Sequence, residues 1–325
     1  MQLSDGLNDT EFYYKYSDYM KQKYGQKVYK IPVNLPVSCP VRDGSLSTGG
    51  CVFCGDSAAG HEALSADLAP KEQIIGNIDY IGPNYGANLF EVYFQNFTNT
   101  YLPPAELKSY LYEAAASDDR IVRLTVSTRP DCIAGAYLDI LKEVSINFGL
   151  DVCIELGLQS VNPATLRILG RGHGLAEYID SVLLIRQYHF EICTHLITTL
   201  PWDTRDDIIE AAKILSVLQT DSVKLHSLYV EKNTRLAEWY ADGTFVPIPI
   251  EEYISRTADF LEYLSPDISV QRLVARVPQD ASIFANWGRS HWVLQDMIRD
   301  EMTRRGSQQG KHFSYGCDAQ VRKFL

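Results

Sequence analysis

The sequence predicts an α/β fold, a partial TIM barrel of the (β/α)6 type with an extension at each end. Three observations support this prediction. Short runs of apolar and β-branched residues alternate with amphipathic helical patterns, which is typical of parallel sheets built from βαβ units. Three cysteines follow the first predicted strand directly, at the barrel end where functional residues collect. The chain has 325 residues, of which 46% are hydrophobic, so it can bury a large core.

The predicted elements alternate in order along the chain. The strands are 27–35, 90–97, 121–127, 152–159, 191–199 and 222–230, with a seventh candidate at 268–276. The helices between them are 105–117, 135–148, 175–188 and 205–218, and another is expected to begin near Pro70. A full barrel and an open doubly wound sheet are the alternatives. The glycine-rich turn 170–174 lacks the spacing of a dinucleotide-binding loop, so it is interpreted as an ordinary loop.

The chain is divided into three segments. Residues 1–26 are a basic and aromatic N-terminal extension, 27–235 are the barrel core, and 236–325 are a C-terminal extension that completes and covers the barrel. The formal net charge of −11 argues against a protein that grips nucleic acid over its whole surface, although both ends are locally basic. The polar first residues and the lack of a long apolar run predict a cytoplasmic protein with no membrane partner.

The segment from Cys39 to Cys54 has the residue types of a metal-binding loop. Cys51 and Cys54 are close enough to bind one centre, and the glycines at 49 and 50 let the backbone fold tightly around it. Turn-forming residues after Cys39 can return that thiol to the same centre. Three thiolates on a 4Fe–4S cluster leave one iron open, and the amino and carboxylate groups of S-adenosylmethionine can chelate it. An electron from the cluster can then release a deoxyadenosyl radical.

A structural zinc site is the main alternative for these cysteines. His61 could supply a fourth ligand, but structural zinc usually uses two paired knuckles and the sequence has no second Cys-x-x-Cys. Three ordinary thiols in a glycine-rich loop are the other alternative. The remaining cysteines show no ligand spacing and are interpreted as buried core residues; they are Cys132, Cys153, Cys193 and Cys317.

The cysteine loop reads Cys-Pro-Val-Arg-Asp-Gly at 39–44 and Gly-Gly-Cys-Val-Phe-Cys at 49–54. This pattern, with its enlarged first gap, resembles the cluster loop of one branch of the radical S-adenosylmethionine superfamily. That branch is the bacterial YhcC/YtqA-type group, which is related to the catalytic subunit of Elongator. The resemblance covers nearly the whole chain, and its other segments are 93–101, 128–131, 155–160, 171–173, 224–226 and 271–273.

The resemblance implies roles for several residues around the cofactor. Phe53 would pack beside the adenine, with core filling as the alternative. Gln95 and Thr98 would lie near the methionyl amino group. Glu155 and Gln159 are four residues apart on one predicted strand face and would contact the amino group or the ribose hydroxyls. A carboxylate within an apolar strand must be paired or functional, which adds weight to Glu155.

Four basic residues complete the predicted site. By the same resemblance Arg171 would bind the methionyl carboxylate through two parallel hydrogen bonds, with a solvated loop charge as the alternative. Lys224, His226 and His195 lie on strands that would face the barrel, and they are the candidate catalytic residues. A histidine on a strand is more often a hydrogen-bonded core residue than a catalyst.

One segment departs from the pattern of the family. The fifth strand in such proteins usually ends in Gly-Leu-Pro-Gly, whereas here Thr199-Leu-Pro-Trp202 follows it. Two glycines are replaced by bulky residues where the backbone would approach the cofactor or the substrate. That part of the site, and with it the substrate, is therefore expected to differ from the pattern of the family.

The resemblance implies a radical enzyme that modifies the wobble uridine of tRNA, converting a carboxymethylaminomethyl group to an aminomethyl group. Its implied partners are tRNA, an electron donor such as flavodoxin or ferredoxin, and a downstream methyltransferase. A radical enzyme acting on a small molecule such as a tetrapyrrole is one alternative, and it suits an acidic chain better. A zinc-stabilised binding protein without catalysis is the other.

The N-terminal extension suggests where RNA could bind. Tyrosines alternate with lysines there, and aromatic rings among positive charges are a general means of holding unstacked bases. The residues are Tyr13, Tyr14, Tyr16, Tyr19, Tyr24 and Tyr29 with Lys15, Lys21, Lys23, Lys27 and Lys30. The alternative is that this amphipathic segment packs against the barrel.

Overall fold

The computed structural model describes residues 11–55, 63–277 and 281–314, and the parallel sheet it shows confirms the predicted α/β fold class. Seven strands form this sheet, in the order β1-β2-β3-β4-β5-β6-β8, curled into a partial barrel. They are β1 (Val28–Val33), β2 (Leu89–Phe94), β3 (Ile121–Thr128), β4 (Asp151–Gln159), β5 (Glu191–Ile197), β6 (Ser222–His226) and β8 (Ser269–Arg272). Two short strands, β7 (Val230–Glu231) and β9 (Ser282–Phe284), form a separate antiparallel ribbon.

Helices cover the outside of this sheet. They are α1 (Tyr16–Tyr24), α2 (Pro70–Tyr85), α3 (Pro104–Ala115), α4 (Gly135–Phe148), α5 (Pro163–Ile168), α6 (Leu175–Gln187), α7 (Arg205–Val217), α8 (Arg235–Asp242), α9 (Ile250–Tyr263) and α10 (His291–Arg304). Local signals set their starts: Pro70 occupies the first turn of α2, and the Thr204 hydroxyl accepts a hydrogen bond from the Asp207 amide to cap α7. None of the helices in the described ranges has the length and apolar composition needed to cross a membrane.

Several strands are shorter than the sequence indicated, and the two largest differences are at β6 and β8. The strand predicted at 222–230 ends at His226, because the next residues are bonded sideways: the Ser227 hydroxyl donates to Asn286 (2.7 Å) and the Leu228 amide donates to the Thr199 hydroxyl (2.6 Å). The strand predicted at 268–276 ends at Arg272. The chain then turns so that later residues can join the β7–β9 ribbon.

The two faces of the sheet have opposite character. On β3, Leu124 and Val126 point outward and are fully buried under the helices, in the main apolar core. Arg123 and Thr125 alternate with them and face the barrel interior, where Thr125 donates to Glu91. Apolar burial therefore fixes the outer layer, while the interior is a polar space that can hold charged groups.

The N-terminal segment closes the open side of the barrel. The Tyr14 carbonyl accepts a hydrogen bond from the Val270 amide (2.8 Å), so the chain before α1 runs beside β8. Tyr24 donates to Asp151 (2.6 Å) and Lys23 pairs with Asp151 (2.9 Å) at the start of β4. The structure therefore favours the packing alternative for this segment, at the barrel end opposite to the cysteine loop.

Candidate active site

The cysteine loop folds back over the carboxyl ends of the strands. The Gly50 amide donates to the Val41 carbonyl (2.8 Å), which brings the second and third cysteines back towards Cys39. Gly50 has a left-handed backbone with φ of 76°, a conformation that residues with a Cβ rarely adopt. Arg42 holds the far side of the loop by donating to the carbonyls of Cys54 (2.7 Å) and Gly55 (2.6 Å).

The substitution Gly50→Ala is expected to weaken metal retention. The left-handed backbone costs a residue with a Cβ about 1–2 kcal/mol, and the added carbon would lie 3.0 Å from the Arg42 Nε. We expect less iron per chain after anaerobic reconstitution and faster loss of iron to a chelator. Gly149→Ala is the matched control, since Gly149 has φ of 67° and open space around it. Equal iron retention in both variants would contradict the prediction.

The three thiols line one cavity of about 520 Å³, part of it open to solvent. Eight of the predicted site residues share it, and the list is Cys39, Cys51, Phe53, Cys54, Thr98, Gln159, Arg171 and His195. Residues that the sequence analysis did not assign also line it, among them Arg42, Phe97, Ser127, Thr128 and Arg129. The fold therefore brings together side chains from the cysteine loop, β3, β4, β5 and the loop before α6.

Two buried arginines contact the thiols. The Arg171 guanidinium donates to Cys51 Sγ (3.3 Å) and to the Gly157 carbonyl (2.6 Å). Arg129 lies 3.9 Å from Cys39 Sγ and forms two hydrogen bonds to Asp131 (2.9 and 2.8 Å). Positive charge at this distance would offset part of the negative charge of metal-bound thiolates. Arg171 thus contacts a cysteine and a backbone carbonyl, and the structure adds Arg129, which the sequence indicated only as part of the segment 128–131 and without a role.

The cavity fits the two predicted cofactors. Three soft thiol ligands on one wall are the donor set that an iron–sulfur cluster requires. On another wall the Thr98 hydroxyl is fully buried and has no hydrogen-bond partner among the described residues, as expected where a ligand group completes the bonding. Phe53 and Phe97 supply apolar surface beside it. Cys39, Cys51 and Cys54 could hold a cluster, and Thr98 could contact S-adenosylmethionine.

Two predicted cofactor contacts lie outside this cavity. Gln95 follows β2 directly, and its backbone N–H donates a hydrogen bond to the Val33 carbonyl (3.1 Å). Its side chain is not among those that line the cavity. Glu155 lies deeper in the barrel than Gln159, because it is four residues nearer the start of β4. In addition, β4 changes register between Gly157 and Gln159, and Gln159 has a left-handed φ of 74°, so the regular alternation of side chains is interrupted there. The expectation that Glu155 and Gln159 share one face of a regular strand is therefore wrong.

Glu155 is the centre of a buried ionic network below the cavity. Its two carboxylate oxygens contact Lys30 Nζ (2.6 Å), His195 Nε2 (2.6 Å) and Lys224 Nζ (3.3 Å). Gln271 donates to the same carboxylate (3.1 Å). The two ammonium groups supply the positive charge that the carboxylate needs, so a metal cation is not required at this position.

The network sets the protonation of its members. Burial alone would raise the pKa of Glu155, but Lys224, Lys30 and His195 outweigh it and hold that pKa well below the ordinary value. Burial lowers the pKa of Lys224 to about 8 and that of His195 to about 4, although Glu155 opposes both shifts. His195 is thus neutral at pH 7. With its Nε2–H donated to Glu155, its Nδ1 is a hydrogen-bond acceptor.

The three candidate catalytic residues lie on two neighbouring strands. His195 lines the cavity, and Lys224 is its register partner on β6, with Nζ 3.2 Å from the Tyr93 hydroxyl. His226 stacks loosely on His195, with ring centroids 5.3 Å apart, and contacts Arg272 (2.5 Å). A connected set of polar side chains therefore runs from the cavity to the edge of β8.

The bulky residues after β5 do not enter the cavity. The Thr199 hydroxyl accepts the Leu228 amide, and the Trp202 ring packs against Trp239 (6.2 Å) and Phe245 (5.8 Å). These rings form a small separate core that supports the cysteine loop through Val52. The two residues that replace the glycines therefore pack beneath the cysteine loop and are not among the residues that line the cavity.

The chain is similar to known proteins over most of its length. The model of the Radical SAM superfamily matches residues 46–215, and the model of the Radical_SAM C-terminal domain matches residues 220–304. The protein MJ0486 of Methanocaldococcus jannaschii is 35% identical over 92% of both chains. YhcC of Escherichia coli K12 is 31% identical over 90% of this chain and 94% of its own.

Two more distant similarities concern the barrel. The tRNA uridine(34) acetyltransferase of Dehalococcoides mccartyi is 24% identical over 56% of this chain and 37% of its own length. The solved structure of an Elp3 from Methanocaldococcus infernus superimposes with a TM-score of 0.66 at 17% identity, covering 87% of this chain and 64% of that chain. The second similarity establishes the fold alone.

Proposed function

This chain belongs to the radical SAM superfamily, and from that premise we propose that it modifies the wobble uridine of tRNA, converting a carboxymethylaminomethyl to an aminomethyl side chain. Members of the family bind a 4Fe–4S cluster and S-adenosylmethionine. We assign Cys39, Cys51 and Cys54 as the cluster ligands. When bound, the two cofactors supply a deoxyadenosyl radical that removes a hydrogen atom from an unactivated carbon.

The observation that carries the proposal is the position of two bases beside the thiol-lined cavity. His195 presents a neutral ring on the cavity wall, and Lys224, its register partner on β6, has a pKa lowered to about 8 by burial. A secondary amine such as carboxymethylaminomethyl is protonated near neutral pH. Its nitrogen lone pair can stabilise a radical on the neighbouring carbon only after that proton has left. A base within reach of the cavity is therefore what this substrate requires. The carbon radical would then lose one electron, to the oxidised form of the proposed electron-transfer partner, and become an imine. Water would hydrolyse the imine, breaking the C–N bond and releasing the aminomethyl group and glyoxylate.

The substrate class is supported by one relative. The acetyltransferase of Dehalococcoides mccartyi is named for uridine 34 of tRNA, and the similarity covers 56% of this chain. This chain spans 37% of that protein, so we carry over the nucleoside and not the acetyl transfer. An electron donor such as flavodoxin or ferredoxin and a methyltransferase that alkylates the product are the proposed partners.

We also propose roles for the other predicted site residues, according to whether they line the cavity or lie below it. Phe53, Thr98, Gln159 and Arg171 line the cavity, and we propose that they surround S-adenosylmethionine, with Arg171 also holding Cys51. Glu155 acts as a positioning residue, because it accepts the His195 Nε2–H and leaves Nδ1 free to accept a proton.

Product formation is expected to rise with pH through a midpoint near 8, because Lys224 accepts a proton only in its neutral form. The charged or titratable groups that face it are Glu155, Lys30, His195, His226, Tyr93, Cys193 and Arg272. Lys224→Arg keeps the positive charge at all pH values, so it should be slow and lack this step. The measurement is single-turnover product formation between pH 6.5 and 9.5. If product formation by the Lys224→Arg variant still rose with pH through a midpoint near 8, Lys224 would be excluded as the base.

The proposed function is tested with tRNA that carries the carboxymethylaminomethyl group. The enzyme is reconstituted without oxygen, mixed with S-adenosylmethionine and a reductant, and the tRNA nucleosides are analysed by mass spectrometry. We expect aminomethyluridine together with deoxyadenosine. Deoxyadenosine without any change in the tRNA would favour the small-molecule alternative. Stoichiometric zinc without iron after reconstitution would favour the binding-protein alternative.

A further inference from the structure

A charged pair directly after β3 lies against the cysteine loop. Arg129 and Asp131 form this pair, and the Arg129 guanidinium lies 3.9 Å from Cys39 Sγ. We propose that the Arg129–Asp131 pair sets the reduction potential of the cluster assigned to the loop cysteines, the arginine raising it and the aspartate lowering it. This inference goes beyond the proposed function, because it rests on the cluster ligands alone and does not depend on the substrate.

The guanidinium of Arg129 is held on three sides. Its Nε and Nη2 donate to the two carboxylate oxygens of Asp131 (2.9 and 2.8 Å), and Nη2 also donates to the Arg171 backbone carbonyl (2.5 Å). The third nitrogen, Nη1, faces the sulfur of Cys39. Arg129 is only 2% exposed, and turning its charge towards solvent would break these contacts. The positive charge beside Cys39 is therefore fixed in place.

The exposures of the two side chains indicate which one depends on the other. The Asp131 side chain is 17% exposed, so water can reach its carboxylate, whereas the Arg129 side chain is 3% exposed. Burying a guanidinium is unfavourable unless negative charge compensates it. Asp131 supplies part of this compensation, and metal-bound thiolates would supply more. The pair is therefore suited to a negatively charged group at Cys39 and is not needed to bury the aspartate.

The sign of each effect follows from the charge that reduction adds. One electron passes from the reductant, which is oxidised, to the cluster, and no proton is taken up, so the negative charge beside Cys39 increases. A fixed positive charge near the sulfur stabilises the reduced form and raises the potential, whereas a fixed negative charge lowers it. Removing Arg129 and removing Asp131 should therefore shift the potential in opposite directions.

Arg171 also brings positive charge to the loop, but it is less suited to a test of charge alone. Its guanidinium donates to Cys51 Sγ (3.3 Å), the Gly157 carbonyl (2.6 Å) and His173 Nε2 (3.2 Å). Burial and the neighbouring arginines lower the pKa of His173 to about 3, so this imidazole is neutral at pH 7. Arg171 has no acidic partner in these contacts whose removal would give the opposite shift, and it is already proposed to surround S-adenosylmethionine.

The same strand carries a matched control pair at its other end. Arg120, directly before β3, donates to the two carboxylate oxygens of Asp118 (2.9 and 2.8 Å) through the same two nitrogens. The eight residues of β3 separate the two pairs, which is roughly 25 Å at about 3.3 Å per residue. The Arg120 side chain is 48% exposed, so salt screens its charge over this distance. Changes in the control pair should leave the potential unaltered.

The test is the midpoint potential of the cluster in the full chain, reconstituted without oxygen. It is titrated in the absence of S-adenosylmethionine and tRNA and followed by electron paramagnetic resonance. For Arg129→Met we expect the ratio of reduced to oxidised cluster at the wild-type midpoint to fall about tenfold, a shift of about 59 mV to more negative potential for one electron. Asp131→Asn keeps the arginine and should shift the potential by a similar amount in the positive direction. Arg120→Met and Asp118→Asn should match the wild type.

Opposite shifts in the two pair variants, with none in the control variants, support the proposal. No shift in either pair variant overturns it. Shifts in the same direction also overturn it, because a general disturbance of the loop does not depend on the sign of the charge removed. Where Arg129→Met retains too little iron to titrate, Arg129→Lys replaces it and should stay near the wild-type potential, and Asp131→Asn then decides the outcome. Since no tRNA is present, failure here leaves the proposed function intact, and unmodified tRNA would contradict only the proposed function.

Discussion

Replacing Cys51 by alanine is expected to abolish both iron binding and the radical reaction. Two remaining thiols cannot hold a 4Fe–4S cluster against loss to solution, since each site-bound iron needs its own cysteine. In this loop the Cys51 sulfur also accepts a hydrogen bond from the Arg171 guanidinium, and that contact would be lost with the thiol. We expect iron per chain to fall from about four atoms to background and deoxyadenosine formation to disappear. Iron, sulfide and visible absorbance measure the first effect, and chromatography measures the second.

Cys153→Ala is the matched control for this experiment. Cys153 is fully buried on β4 and is not among the residues that line the cavity. Its replacement should leave the iron content and deoxyadenosine formation near the wild-type values. Iron retained at the wild-type level in Cys51→Ala would show that the loop does not hold the cluster and would remove the basis of the assignment.

Neutralising the centre of the buried network should cost more stability than any surface change. Glu155→Gln keeps the shape of the side chain but leaves Lys224 buried without its counter-ion, while Lys30 retains Glu91 (3.1 Å). Removing one partner of a buried pair typically lowers the free energy of unfolding by about 3–5 kcal/mol. We expect a loss of this size in denaturant unfolding of the metal-free protein, where cluster loss does not complicate the transition.

Two further variants separate charge from packing in this prediction. Glu210→Gln makes the same replacement on the exposed face of α7 and should not change the unfolding midpoint measurably. Glu155→Gln/Lys224→Met removes the stranded ammonium as well and should recover part of the lost stability, giving a positive coupling in a double-mutant cycle. Strictly additive effects of the two substitutions would mean that the pair contributes no more than its packing.

Much of the fold and part of the site could be predicted from local sequence patterns. Alternating apolar runs located the strands to within a few residues, because each strand must bury an apolar outer face. The cysteine loop could be identified from its residues alone, since soft ligands and glycines occur there in a short and unusual order. The predicted fold class, family and cofactors are confirmed on that basis. The predicted His61 and Cys317 lie outside the described residues.

Other features depend on contacts between distant parts of the chain. Arg129 lies beside Cys39 although the two are 90 positions apart in the sequence, and Glu155 lies beside Lys30 although these are 125 positions apart. No local sequence pattern encodes such a pairing. The N-terminal tyrosines illustrate the same limit. Their spacing fits both RNA binding and packing, and the hydrogen bond of Tyr24 to Asp151 favours packing.

The sequence by itself thus determined the parallel barrel, the family and the thiol-bearing loop, because each follows from residue types that act over a few neighbouring positions. The tertiary structure alone decided which charges are buried together and where the barrel is closed. The physical reason is that the role of a charged group depends on its surroundings. Burial lowers the pKa of Lys224, and burial is a property of the folded chain.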